Sequence, residues 1–75
     1  MKVTVKLIGP FIYRAGFSEQ EFDLPDGTTA AELLGIIKLN KHRPKIITRN
    51  GRAVVPEDTL AERDRIVISP IYSGG

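Results

Sequence analysis

The 75-residue sequence predicts an α+β fold in which one helix lies on one face of a mixed sheet. Three observations carry this expectation. Two strand-patterned runs precede a single capped, amphipathic helix, and a further pair of runs flanks an Asn-Gly dipeptide after it. The last run, Ile66-Val67-Ile68, is wholly apolar, as a central strand is. The length allows one domain, residues 1–75, with no second core. A composition of 41% hydrophobic and 27% charged residues belongs to a folded globular chain rather than a disordered one.

The elements follow in order. Val3, Val5 and Leu7 alternate with Lys2, Thr4 and Lys6, the period-two pattern of a strand with one buried face, here read from Lys2 to Ile8. Gly9-Pro10 stops it, and the following connection, residues 11–16, is too long for a two-residue hairpin; Phe11 and Tyr13 are expected to fold back on the domain edge. From Phe17 to Leu24 acids alternate with Gln20, Phe22 and Leu24, which predicts an antiparallel partner showing water one face and the core the other. Pro25-Asp26-Gly27 has the residues of a turn.

Thr29-Ala30-Ala31-Glu32 has the spacing of a capping box, so a helix starts there. Ala30, Leu33, Leu34 and Ile37 recur at i, i+3, i+4 and i+7 and form one stripe to lay on the sheet. The helix is expected to run to Leu39, with Lys38 near the negative end of its dipole, Asn40 in the left-handed closing position and Pro44 preventing resumption. Gly35 costs about 1 kcal/mol of helix propensity relative to alanine, a cost that close approach of a neighbouring element would explain. Lys45 to Arg49 reads as a third strand, Asn50-Gly51 as a hairpin turn, and Arg52 to Val55 as a short return ending at Pro56. Residues 57–65 read as a loop pinned by Leu60, leading to the last strand at residues 66–68.

Pairing the first and last strands in parallel at the centre buries the most apolar surface, and a crossover through the helix makes the connection right-handed. The resulting four- to five-stranded mixed sheet with one main helix is the ubiquitin-like β-grasp, followed here by a flexible tail, residues 71–75.

Composition excludes several functions. There is no cysteine, so no thiolate nucleophile and no disulfide, and no His/Cys cluster of metal-binding spacing. The single histidine, His42, has no acid or nucleophile near it in sequence and reads as a solvated side chain. Glu19 and Glu21 share one strand face, a spacing that makes the face soluble without making it catalytic. No apolar run approaches the roughly 20 residues of a bilayer crossing, and the alternating N-terminus lacks the apolar block of a secretory signal, so a cytoplasmic location is expected. Between Leu33 and Pro56 the chain carries Lys38, Lys41, Arg43, Lys45, Arg49 and Arg52 with no acid. Base-stacking aromatics are absent from that run, so a solvated basic face is expected rather than a nucleic-acid site.

The chain closes with Ser69-Pro70-Ile71-Tyr72-Ser73-Gly74-Gly75. Two glycines without side chains can lie extended in a narrow channel and leave the terminal carboxylate unshielded, although by themselves they are also the composition of a frayed end.

Asp26 through Leu34, the Asn50-Gly51 hairpin, Leu60 through Ile68 and the tail from Ser69 to Gly75 together resemble sulfur carriers of the ThiS and MoaD type. Three features differ from the usual pattern. Arg63 stands where these families place a glycine between two acids, Tyr72 lengthens the tail by one residue, and the two connecting loops match different subfamilies. The resemblance implies a non-catalytic protein co-substrate. The carboxylate of Gly75 is adenylated by a ubiquitin-activating-type enzyme, with Gly74, Ser73, Tyr72 and Ile71 in the partner's channel, and is then converted to a thiocarboxylate by a persulfide donor of the cysteine desulfurase or rhodanese type. A downstream synthase takes the sulfur, for the thiamine thiazole or for the molybdopterin or tungsten cofactor. The resemblance implies no bound cofactor; ATP is used by the partner. The alternatives are a ubiquitin-like modifier or tRNA-thiolation carrier using the same activated terminus, and a β-grasp interaction or RNA-binding module whose tail is idle.

Overall fold

Ile66 and Ile68 are fully buried at the middle of a five-stranded sheet, and the rest of the chain is arranged around them. The computed structural model describes residues 1–39 and 44–71. Its elements are β1 (Lys2–Leu7), α1 (Phe11–Ala15), β2 (Glu19–Asp23), α2 (Ala30–Ile36), β3 (Lys45–Arg49), β4 (Arg52–Ala53) and β5 (Arg65–Pro70). The strand order is β2-β1-β5-β3-β4. Central β5 runs parallel to β1, with Val5 opposite Ile66 and Leu7 opposite Ile68, and antiparallel to β3, with Ile47 opposite Ile68. This is the mixed β-grasp sheet expected from the strand patterns.

One face of the sheet holds the core. Val3, Val5, Leu7, Ile47, Ile66 and Ile68 meet the α2 stripe of Ala30, Leu33, Leu34 and Ile37, and Leu60 pins its loop to the same cluster. The capping box forms as its spacing predicts: the Glu32 amide donates to Thr29 Oγ1 at 3.2 Å, and the Thr29 amide donates to Glu32 Oε1 at 3.0 Å. The Asn50-Gly51 turn has both residues at positive φ, +53° and +87°, the geometry whose twist matches an antiparallel pair.

The structure corrects several expectations. Within the connection, residues 11–15 form a short helix: Phe11 drops into the core, Tyr13 points to solvent instead of folding back on the domain edge, and Gly16 closes the turn at φ +85°. The main helix stops at Ile36, three residues early, because Lys38 takes the left-handed position at φ +62°. The Leu39 amide then donates to the Leu34 carbonyl and the Lys38 amide to the Gly35 carbonyl, a Schellman closure sealed by buried Leu34 and Leu39. Asn40, proposed for that role, lies outside the described residues, as do Lys41, His42 and Arg43. A Cβ on Gly35 would meet nothing within 4 Å, so no close approach explains the glycine.

Strand limits also shift. β1 ends at Leu7, β2 covers Glu19–Asp23, and β4 covers only Arg52–Ala53. β5 starts at Arg65 and runs through Pro70, which lies opposite Lys45 and beyond the last β1 pair. Gln20 is exposed and Phe22 only half-buried, so β2 buries less than its alternation suggests.

Candidate functional site

β5 leads toward the C-terminal tail from the centre of the sheet. It is hydrogen-bonded on both sides, and its start is held by a polar clip. Buried Asp64 accepts from the Ala61 amide at 2.7 Å and from Asn50 Nδ2 at 3.0 Å, with Arg49 Nε 3.8 Å away. Asn50 Oδ1 accepts in turn from the Arg65 amide at 2.9 Å. The clip ties the hairpin turn, the closing loop and β5 together, and every member has a partner, as buried polar groups require. Just before it, Arg63 adopts φ +65° and its amide donates to the Lys2 carbonyl at 2.7 Å. Arginine therefore takes the backbone conformation that glycine supplies most cheaply.

Where the tail leaves the sheet, Ile71 is 53% exposed. Tyr72, Ser73, Gly74 and Gly75, the other residues assigned to the partner's channel and to activation, lie outside the described residues.

The strand register shows a surface that the sequence reading passed over. Side chains alternate across the sheet, so Ile46, Thr48, Val67 and Ser69 occupy the face opposite α2, and Ile71 follows directly after the strand. Ile8 follows β1 on the same face, its amide donating to the Ile68 carbonyl. Ile8, Ile46 and Ile71 are exposed and Val67 half-buried, and among the described residues no element covers them. A short apolar surface thus surrounds the point where the tail departs. Period-two parity flags Ile8 and Ile46 singly, because they stand where the alternation calls for polar residues, but only the strand register brings them together.

The acidic pair is engaged differently. Glu19 Oε1 lies 3.2 Å from Arg65 Nη2 on that same open face, while Glu21 has no ion-pair partner among the described residues. Of the basic run, Arg49 is committed to the Thr59 carbonyl and Asp64, and Lys45 sits 6.0 Å from the Phe11 ring centroid. Among the described residues no three His, Cys, Asp or Glu side chains are grouped to hold a metal ion, and no helix is long and apolar enough to cross a membrane.

Known proteins place this geometry. SAMP1 from Haloferax volcanii superposes with a TM-score of 0.77 at 22% identity, covering all of both chains. A Pyrococcus furiosus protein assigned as molybdopterin converting factor subunit 1 gives 0.79 at 27% identity, over 93% of this chain and 97% of that one. A complex of subunits 1 and 2 of the molybdopterin-converting factor from Helicobacter pylori contains a chain matching at 0.68 and 21% identity, over all of both chains. No curated protein matches the sequence significantly. The ThiS family model matches residues 5–75, from the second half of β1 to the last glycine, and the chain belongs to the ThiS family.

Proposed function

We propose that this chain is a sulfur carrier whose Gly75 carboxylate is the reacting group. The family supports a sulfur carrier or a ubiquitin-like modifier, and the observation that carries the proposal is the family match extending to Gly75 beyond a central strand. In the proposed cycle the Gly75 carboxylate attacks the α-phosphate of ATP in an adenylating enzyme and releases pyrophosphate. A protein persulfide displaces AMP from the acyl-adenylate, and a second thiol cleaves the resulting acyl disulfide, leaving a thiocarboxylate on Gly75 and a disulfide on the donor. With no cysteine of its own, the carrier holds sulfur only at its terminus.

The apolar surface around Ile8, Ile46, Val67 and Ile71 suits the body contact such an enzyme needs. Apolar anchors beside the tail hold the domain while residues 72–75 reach the adenylating site. A protein partner also fits the Helicobacter pylori neighbour, a subunit of a two-protein complex. The carrier supplies a substrate and no catalytic group. The acceptor proposed is a thiazole or pterin precursor handled by a separate synthase.

Carrier and modifier share activation and part afterwards. Incubating the chain with ATP, its activating enzyme, a persulfide donor and a cell extract is expected to yield the thiocarboxylate, seen by intact mass, with no ladder of lysine-linked adducts. A ladder in place of the thiocarboxylate would turn the proposal into the modifier reading.

A further inference from the structure

The sheet has two edges, and they are not alike. β4 is two residues long and is followed by Pro56, which makes it a poor template for another strand. β2 is five residues long, and among the described residues nothing pairs with its outer side. The Met1 and Leu24 backbones exchange hydrogen bonds at 2.7 Å in each direction, and the Leu7 amide donates to the Ser18 carbonyl. With the Lys2–Asp23 register, the even residues of β2 therefore turn their backbone groups toward β1. Glu19, Glu21 and Asp23 turn theirs outward, leaving a row of amides and carbonyls to be satisfied.

Two further features line this edge. On the open face, three carboxylates at two-residue spacing stand beside it; opposite them in β1 are Lys6, Thr4 and Lys2. On the other face, a groove of about 240 Å³ opens between the edge and the end of α2, lined by Phe17, Gln20, Phe22, Ile36, Ile37 and Lys38. Ile36 is half exposed there, and the Phe17 and Phe22 rings pack at 5.5 Å.

We propose that the β2 edge receives an extended segment of a partner protein in which Lys or Arg alternates with aliphatic residues. Residues opposite Glu19, Glu21 and Asp23 share their face, so cations there meet carboxylates, and the intervening aliphatic residues lie over the groove. β1 already presents this pattern to the inner side of β2, as Lys2-Val3-Thr4-Val5-Lys6. The same charges reject a second copy's β2, which would set carboxylate against carboxylate. The edge lies two strands from β5, roughly 10 Å across the sheet, so this contact is separate from the tail and independent of the sulfur-carrier reading.

The test uses the intact chain and a synthetic peptide of sequence KVTVKL, with EVTVEL as the charge-reversed control. Binding of the first is expected to slow amide exchange at Glu19, Glu21 and Asp23 while Gln20 and Phe22, already bonded to β1, keep their rates. EVTVEL is expected not to bind, and Asp23→Asn, which removes a carboxylate facing a peptide lysine, to weaken KVTVKL about two- to fivefold with an unchanged melting curve, because Asp23 is exposed. Several outcomes would overturn the proposal: equal binding of both peptides, no binding at millimolar KVTVKL, faster exchange at Gln20 and Phe22 from displacement of β1, or protection confined to the Ile46 and Val67 face. Any of these would reduce the acidic row to protection of the edge against aggregation.

Discussion

Replacing Arg63 by glycine should stabilise the domain, and the structure supplies the size of the effect. Arg63 sits at φ +65°, its side chain is exposed, and it makes no ion pair among the described residues. Holding an L-residue in this conformation costs about 1–2 kcal/mol. Glycine removes that cost but adds unfolded-state freedom of about 0.5–1 kcal/mol. The difference is a gain centred on about 0.75 kcal/mol and no larger than about 1.5 kcal/mol; the central value raises Tm by roughly 3–6 °C for a domain of this length. The bond from residue 63 to the Lys2 carbonyl is made by the backbone and survives the change. Thermal and urea unfolding of Arg63→Gly beside Arg63→Ala give the decisive comparison, since alanine removes the same side chain but keeps the backbone cost. Equal stabilisation by alanine and glycine would refute the reasoning and place the effect in the arginine side chain.

Other outcomes follow from the same structure. Gly35→Ala is expected to add about 0.5–1 kcal/mol of stability in urea titrations, because the new methyl meets no neighbour. Val5→Asp, placing an unpaired carboxylate where the side chain is fully buried, should abolish cooperative melting; an unchanged Tm would rule out the observed β1 register. Asp64→Ala is expected to cost about 2–3 kcal/mol, as the Ala61 amide and Asn50 lose their acceptor together. Ile71→Ser should leave melting unchanged and weaken capture by the activating enzyme, read as a raised KM for the carrier in pyrophosphate release.

Much of the fold is legible because several signals agree at each element. The capping box, the stripe from Ala30 to Ile37 and the Asn50-Gly51 turn each combine propensity with pattern, and each forms. The parallel pairing of β1 with β5 is legible because only a central strand can bury Ile66 and Ile68 completely. α1 escapes notice because five residues carry barely one helical repeat, and its evidence is the single buried Phe11 and Gly16 behind it. The end of α2 is misjudged because lysine, a good helix former, occupies the left-handed closing position where glycine or asparagine is expected.

For the site, the tail composition points to Gly75, but the apolar face beside it is written only in the register of three strands. Ile8 and Ile46 have no meaning as a pair until β1, β5 and β3 are aligned. The open β2 edge is hidden in the same way: its alternation reads as a half-buried strand, yet Gln20 is exposed because α2 ends before covering it.

In the proposed cycle the Gly75 carboxylate is the reacting group, at the end of a tail that leaves the central strand and closes in two glycines. An alanine appended after Gly75 moves the carboxylate by about 3.3–3.6 Å, beyond what a near-attack geometry tolerates. Gly74→Val keeps the length and puts a branched side chain against the channel wall. The most direct test is intact mass spectrometry of the parent and both variants after incubation with ATP, the activating enzyme and a persulfide donor. Replacement of one oxygen by sulfur at Gly75 in the parent alone, with all three proteins melting alike, is the expected result. Conversion of either variant as fast as the parent would contradict it.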